Sequence, residues 1–286
     1  MVNGIRYSVF EIQYSTNKDM KFYKMSGSGN DFVLLDNRDG RLPSELSQLV
    51  QKLCHRRNGI GADGVLLIEK SAKADFRMRY LNADGGEVAF CGNGGRCIAW
   101  FAHSIGAAEI SMTFEAGDGL HKAEVTDSRV KLQMREPRDF DLRFLLQLDD
   151  RGFAASFADT GVPHVVIPVA GVDDFPVVET GRKIRHHEKY QPAGTNANFI
   201  EVMDRHHLKI RTYERGVEDE TLACGTGSTA AAVISARLGM TESPVECLTR
   251  GGETLTIHFK LDGETASDVF LEGQVQLVFQ GEYMSS

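Results

Sequence analysis

Cys91-Gly92-Asn93-Gly94 and Cys224-Gly225-Thr226-Gly227 are two copies of one pattern, and each opens a run of small and apolar residues that reads as a helix. Fifteen residues after each cysteine stands a glycine, Gly106 or Gly239, suited to the left-handed backbone that ends a helix. Each copy then continues with a strand-like run at 109–114 or 245–249, a glycine turn at Gly117 or Gly251, and another strand. The whole order is duplicated. The chain therefore reads as two related halves with one such thiol in each.

Outside these copies the chain is mostly short strands, at 32–35, 65–68, 76–80, 164–167, 198–202, 208–213 and 254–259, separated by glycine and Asn/Asp turns. Helices are few. Residues 44–54 carry Leu46, Leu49, Val50 and Leu53 at helical spacing behind Ser44 as N-cap. The helices after Cys91 and Cys224 are apolar or small around most of their circumference, as expected of a helix surrounded by protein. The expected class is α+β, with two similar halves, each a mainly antiparallel or mixed sheet curled around one central helix. The break at 134–138 sets the boundary. Residues 20–135 form the first half, completed by a returning C-terminal strand within 273–286. Residues 136–272 form the second, and 1–19 read as an N-terminal extension ahead of Met20.

At 286 residues the chain accommodates two domains, and its apolar and charged fractions of 42% and 25% are those of a globular protein. A net charge of −8 with dispersed basic residues argues against a nucleic-acid partner. No apolar run is long enough to predict a membrane-spanning helix, and a small molecule is the expected ligand. Five cysteines, an odd number, read as reduced thiols in a cytoplasmic protein. Their spacing does not suggest a metal site.

A cysteine just before a helix meets unpaired backbone N–H groups and a positive dipole end, which lower a thiol from its usual pKa of about 8.5 and bind anions. Cys91 and Cys224 are thus candidates for nucleophile or base. Gly92 and Gly225 leave the amides open, so one carboxylate can lie against both helix ends. Cys54, Cys97 and Cys247 lack this context and read as small core residues. Glu214-Arg215, at a strand end ahead of Cys224, offers opposite charges for a zwitterion, although solvated surface charge is an equally ordinary role for such residues. Asn30, Asn82, Asn93 and Asn196 carry amides that donate and accept without titrating, but asparagine beside glycine also serves turns. His164 follows the rigid Gly161-Val162-Pro163 turn, which can aim it. The dinucleotide-like spacing in Gly59-Ile-Gly-Ala-Asp-Gly64 lies between a helix and a strand in the reverse of the order such a fingerprint needs.

With these residues assembled, the chain from about Met20 onward resembles the diaminopimelate epimerases, cofactor-independent amino-acid epimerases. The resemblance rests on residues 24–32 (KMSGSGNDF), on Asn82-Ala-Asp-Gly85 leading into Cys91-Gly-Asn-Gly-Gly-Arg-Cys97, and on Tyr213-Glu-Arg-Gly216 leading into Ala223-Cys-Gly-Thr-Gly227. It implies two pseudo-symmetric domains, each a β-barrel-like sheet around a central helix, with the site in the cleft between them. It also implies that Cys91 and Cys224 are an acid–base pair, one thiolate removing an α-proton while the other thiol protonates the opposite face. It further implies that Gly92-Asn93 and Gly225-Thr226 hold the reacting carboxylate. Asn30, Gly64, Asn82, Asn196, Glu214 and Arg215 would contact the rest of the substrate, and His164 and Glu214 would tune the thiols. No cofactor, no metal and a homodimer are implied as well.

Three positions depart from the family pattern. Val162 stands where the family often has Asn, Gly64 where Gln is frequent, and Ser26 where His is usual. Val162 cannot donate a side-chain hydrogen bond. Two other readings remain open at this stage. A proline or hydroxyproline racemase would typically place a histidine after the first Cys-Gly, where this chain has Asn93. A non-catalytic amino-acid-binding protein, or a redox protein pairing Cys91 with Cys224, belongs to a different class.

Overall fold

The computed structural model describes residues 20–149 and 151–284; the extension expected at 1–19 lies outside them. The first half runs β1 (Met20–Gly27), β2 (Asn30–Asp36), α1 (Ser47–Cys54), β3 (Gly64–Glu69), β4 (Phe76–Asn82), β5 (Glu87–Val88), α2 (Gly92–Ser104), β6 (Ser111–Ala116), β7 (Gly119–Thr126) and β8 (Arg129–Gln133). The second runs β9 (Arg138–Leu148), β10 (Arg151–Asp159), β11 (Pro163–Pro168), α3 (Val177–Arg185), β12 (Asn196–Val202), β13 (His207–Glu214), β14 (Asp219–Thr221), α4 (Gly225–Arg237), β15 (Val245–Leu248), β16 (Thr254–Asp262) and β17 (Thr265–Gln274). A final strand, β18 (Gln276–Tyr283), pairs antiparallel with β1.

The strand pairings repeat throughout. In the first half β1–β2 is antiparallel, β2–β3 parallel, β3–β4 antiparallel, β4–β6 parallel, and β6–β7–β8 antiparallel. In the second, β10–β11, β11–β12, β12–β13, β13–β15 and β15–β16–β17 follow the same sequence of senses. β18 on β1 corresponds to β9 on β10, and the short β5 and β14 hang off β4 and β13 alike. Each half is thus a curled mixed sheet, and among the described residues no pairing closes either into a complete barrel. One antiparallel ladder, β8 with β17, joins the halves.

The continuous apolar strands arise because each sheet is covered on both faces. Side chains alternate along β2 and β3, so Phe32, Leu34, Leu66 and Ile68 enter the core around α2 while Val33, Leu35, Val65 and Leu67 enter the one under α1. The second half does the same. Val166 and Ile200 face α4, while Val165, Ile167, Ala197 and Phe199 face the outer core that also takes in Val177 and Ile184 of α3. The central helices α2 and α4 are each 13 residues long and bury most of their circumference. Both end as expected. Gly106 and Gly239 adopt φ of +66° and +74°, and Ala107 N–H to Ala102 O (2.7 Å) and Met240 N–H to Ser235 O (2.9 Å) close the same six-residue cap.

Two elements differ from the sequence reading. Ser44 is not the N-cap of α1. The helix begins at Ser47 after Leu46, whose burial in the outer core anchors the chain before it turns, and Glu45 accepts from the Ser47 amide at 3.2 Å. The helix α3 was not expected at all. Its buried face is Val177, Thr180, Gly181 and Ile184, too small and polar to stand out beside Glu179, Arg182, Lys183 and Arg185.

Gly181 tests how tightly that face is packed. Alanine normally favours a helix interior by about 1 kcal/mol over glycine, yet a Cβ at 181 would lie 2.3 Å from the Tyr213 Cβ. Gly181→Ala is therefore expected to destabilise by about 1–3 kcal/mol, reversing the propensity sign. Chemical denaturation of the two proteins checks it, and a stabilised variant would contradict the packing described.

Candidate active site

Cys91 and Cys224 occupy the N-cap positions of α2 and α4 with nearly the same extended backbone, φ/ψ of −144°/124° and −128°/109°. Each carbonyl accepts the first helical bond, from Gly95 N–H at 2.7 Å and from Ser228 N–H at 2.9 Å. The amides of Asn93 and Gly94 stabilise the charged form of Cys91, and those of Thr226 and Gly227 do so for Cys224. Thr226 Oγ1 lies 3.4 Å from Cys224 Sγ. Beside Gly92 the space is open among the described residues, whereas Gly225 sits under Leu271.

The net direction of the thiol shifts is opposite to that expected from helix ends alone. Burial pushes Cys91 up and Cys224 up to about 12, outweighing the amides in both cases. Glu214, the last residue of β13, adds to this at both thiols, so one carboxylate acts on the two N-cap cysteines. Its own acidity is weakened by burial. In the free protein both cysteines are thiols.

The asparagines divide. Asn93 Nδ2 donates to Asn30 Oδ1 at 2.9 Å, and Asn30 Nδ2 donates to Asp63 Oδ2 at 2.9 Å, so these two are joined beside Cys91. Asp63 and Asp31 are held by Arg56 and Lys24, which keep the Asp31 carboxyl down at about 2. Asn82, the last residue of β4, stands opposite Gly64 and takes no part in that chain. Gly64 has no room for a side chain. A Cβ there would fall 2.5 Å from Leu81 O and 2.6 Å from Tyr80 Cε2, so this position offers only its backbone.

In the second half Asn196 accepts from Arg215 N–H at 2.8 Å and donates to Pro163 O at 3.0 Å, tying the Gly161–Pro163 turn to the Glu214-Arg215 strand end. Arg215 Nη1 also donates to Ala193 O at 3.2 Å. His164 is wholly buried, and burial holds it down at about 3, so it is neutral and can influence a thiol only as a dipole or hydrogen-bonding group.

Sequence reading missed Asn198. Its Nδ2 bonds His164 Nδ1 and Val165 O, its Oδ1 accepts from Thr212, and Gly227 leaves it room, since a Cβ there would lie 2.4 Å from Asn198 Oδ1 and 3.3 Å from Cys224 Sγ. The one available signal was its i+2 spacing from Asn196, which puts both on one face of β12. The halves also touch near the site, where Leu222, two residues before Cys224, packs on Gly29 of the β1–β2 turn. The five cysteines are free thiols, and among the described residues no group of three His, Cys, Asp or Glu side chains could hold a metal ion.

Residues 22–138 and 156–278 match the family model described as diaminopimelate epimerase. The diaminopimelate epimerase of Chlorobaculum tepidum is 48% identical over 261 residues, covering 90% of this chain and 98% of that protein. Among solved structures, a phenazine biosynthesis protein of the PhzF family from Bacillus anthracis superposes with a TM-score of 0.67 at 17% identity, covering 94% of this chain and all of that one. A hydroxyproline epimerase from Agrobacterium vitis, with bound trans-4-hydroxy-L-proline, superposes at 0.63 with 19% identity, over 93% of this chain and 92% of that one. At these identities the likeness of structure is one of fold.

Because the Glu214 carboxylate raises Cys224, Glu214→Gln should lower the pH at which Cys224 becomes alkylated, while burial keeps it above an ordinary thiol. Peptide-resolved iodoacetamide modification across pH 7 to 11 measures this. An unchanged midpoint would show that the carboxylate does not act on the thiol.

Proposed function

This chain belongs to the diaminopimelate epimerase family, and from that membership we propose that it interconverts LL- and meso-2,6-diaminopimelate, an isomerase reaction serving lysine and cell-wall precursor synthesis. The observation that carries the mechanism is the pair of matched thiols, each at the N-cap of a central helix whose first amides favour its charged form, with one buried carboxylate acting on both.

An amino-acid α-proton is weakly acidic, so the carbanion that forms on its removal needs hydrogen bonds and positive dipole ends in a dry cleft. The reacting carboxylate lies against the amides that start α2 and α4, from Gly92-Asn93 and Gly225-Thr226. Its α-carbon then sits between the two sulfurs. One thiolate takes the proton from one face and the other thiol protonates the opposite face, with the roles exchanged in the reverse direction.

The raised thiols make thiolate formation dependent on the substrate. A substrate ammonium near Glu214 neutralises the charge that adds to burial in holding both cysteines up, so binding itself favours ionisation. Arg215 takes a carboxylate of the substrate, and Asn30, Asn82, Asn93 and Asn196 align the remaining polar groups. Val162 leaves its turn to contribute through backbone atoms alone. His164, neutral and tied to Asn198, orients the Cys224 side as a dipole.

The same reading gives a cytoplasmic enzyme with reduced cysteines that uses no cofactor and acts on a small amino acid. Among the described residues no helix is long and apolar enough to cross a membrane. A homodimer is part of the proposal. Leu277, Val278 and Phe279 of β18 lie exposed one after another, an apolar strip suited to cover by a second copy.

Reduced protein incubated with LL-diaminopimelate in deuterated water is expected to exchange the α-hydrogen and form the meso isomer. Cys91→Ala and Cys224→Ala should each slow turnover by about 10²–10⁴-fold or more while remaining folded. Exchange with proline but not with diaminopimelate would move the substrate to the racemase class, and ligand binding without any exchange would leave a binding protein.

A further inference from the structure

Arg96 lies one turn inside α2 and is the largest fully buried side chain of the described residues, with no solvent exposure. A buried guanidinium ordinarily meets a carboxylate. This one does not among the described residues. Its Nη2 donates to Ser28 Oγ and, at 3.0 Å, to Asn93 Oδ1, while Nε and Nη1 have no partner there. Room for it is made by Gly273 of β17, where a Cβ would fall 3.1 Å from Nε and 3.3 Å from Cζ. The fold therefore makes space for a cation that no salt bridge neutralises among the described residues; the Glu253 carboxylate, whose buried Oε1 also lacks a hydrogen-bond partner, and the Cys97 and Cys91 sulfurs act on it through space.

We propose that Arg96 is a positioning residue for the epimerisation, serving as the buried counter-charge for the anion that forms at the Cys91 end of the cleft and orienting the asparagine pair beside it. The proposal rests on the reading of the site given above. Distance along the helix supports the first part, since Arg96 and Cys91 flank the same first turn and the guanidinium favours the Cys91 thiolate.

Hydrogen-bond polarity supports the second. A guanidinium can only donate, so Asn93 must turn its Oδ1 to Arg96 and its Nδ2 to Asn30. Asn30, its Oδ1 taken by Asn93, then presents Nδ2 to the Asp63 carboxyl, which also accepts from Arg56. The two ends of the chain fix both amides in between. Each keeps one N–H to offer, which suits an anionic oxygen.

The second half has no counterpart to this cation. Five residues after Cys224 stands Thr229, whose Oγ1 bonds Gly225 O at 2.9 Å, and the charged group acting there is Glu214. The two thiols are therefore inequivalent by construction: Glu214 acts on both, but only Cys91 has a buried positive charge opposing it.

Peptide-resolved alkylation of the substrate-free protein tests this without requiring turnover. Arg96→Met should move the Cys91 midpoint up by about one pH unit, leave Cys224 where it was, and lower kcat for diaminopimelate about tenfold. Arg96→Lys keeps the charge and should hold the Cys91 midpoint near that of the parent. If Arg96→Met does not fold, Arg96→Gln, neutral but polar, carries the same expectation. An unmoved Cys91 midpoint, equal movement of both cysteines, or an Arg96→Lys protein that behaves like the neutral variants would each overturn the proposal. Absence of epimerisation in the parent would instead count against the reading of the reaction, and the alkylation comparison would still decide the role of Arg96.

Discussion

The antiparallel ladder between β8 and β17 is the constraint on which the site depends. It runs from Gln133 opposite Phe270 to Arg129 opposite Gln274 and is, among the described residues, the one strand pairing between the two repeats. Arg129 bonds Glu272 and Thr256 across it, and Glu272 also bonds His258, so the junction is ionic as well as hydrogen-bonded. With the sheets joined at that edge, the cysteines at the N-termini of two 13-residue helices both come under the influence of one carboxylate, Glu214. Gly273 lies in this same ladder, which is why the space that admits Arg96 is a property of the junction and not of either repeat alone.

Burial governs the electrostatics of the groups around these helix ends. It raises Cys91 and Cys224, lowers His164 and raises Glu214, each time disfavouring the charged form. Helix amides oppose it at the thiols but do not win in the free protein. In a low-dielectric cleft every added charge acts strongly on its neighbours, so a zwitterion entering such a site changes the ionisation of the groups that must act on it.

Much of this was legible in the residues. The strands at 32–35, 65–68, 164–167 and 198–202 were readable because covering both faces of a sheet leaves a continuous apolar run. The two capped helices were readable because a glycine in the left-handed region is a local requirement. Less was legible where a residue's role depends on remote partners. Asn198 and Arg96 carry no local mark of their contacts, and Gly64 reads as a loop glycine although Tyr80 and Leu81 are what exclude a side chain from it. The residues also carried the divergence between the repeats, Asn82 on the Cys91 side and Glu214 on the Cys224 side, but only the strand pairings place these two at the ends of corresponding strands, β4 and β13.

The sequence by itself determined the duplicated order of elements, the pair of cysteines at helix starts, and the residue types around them, since periodicity, capping and turn chemistry act over a few residues. Tertiary structure alone decided which of those residues meet. The parallel pairings β2–β3 and β11–β12 and the return of β18 to β1 join segments far apart in the chain. The direction of the thiol shifts was decided there too, because it depends on how much protein surrounds each sulfur, which no local pattern encodes.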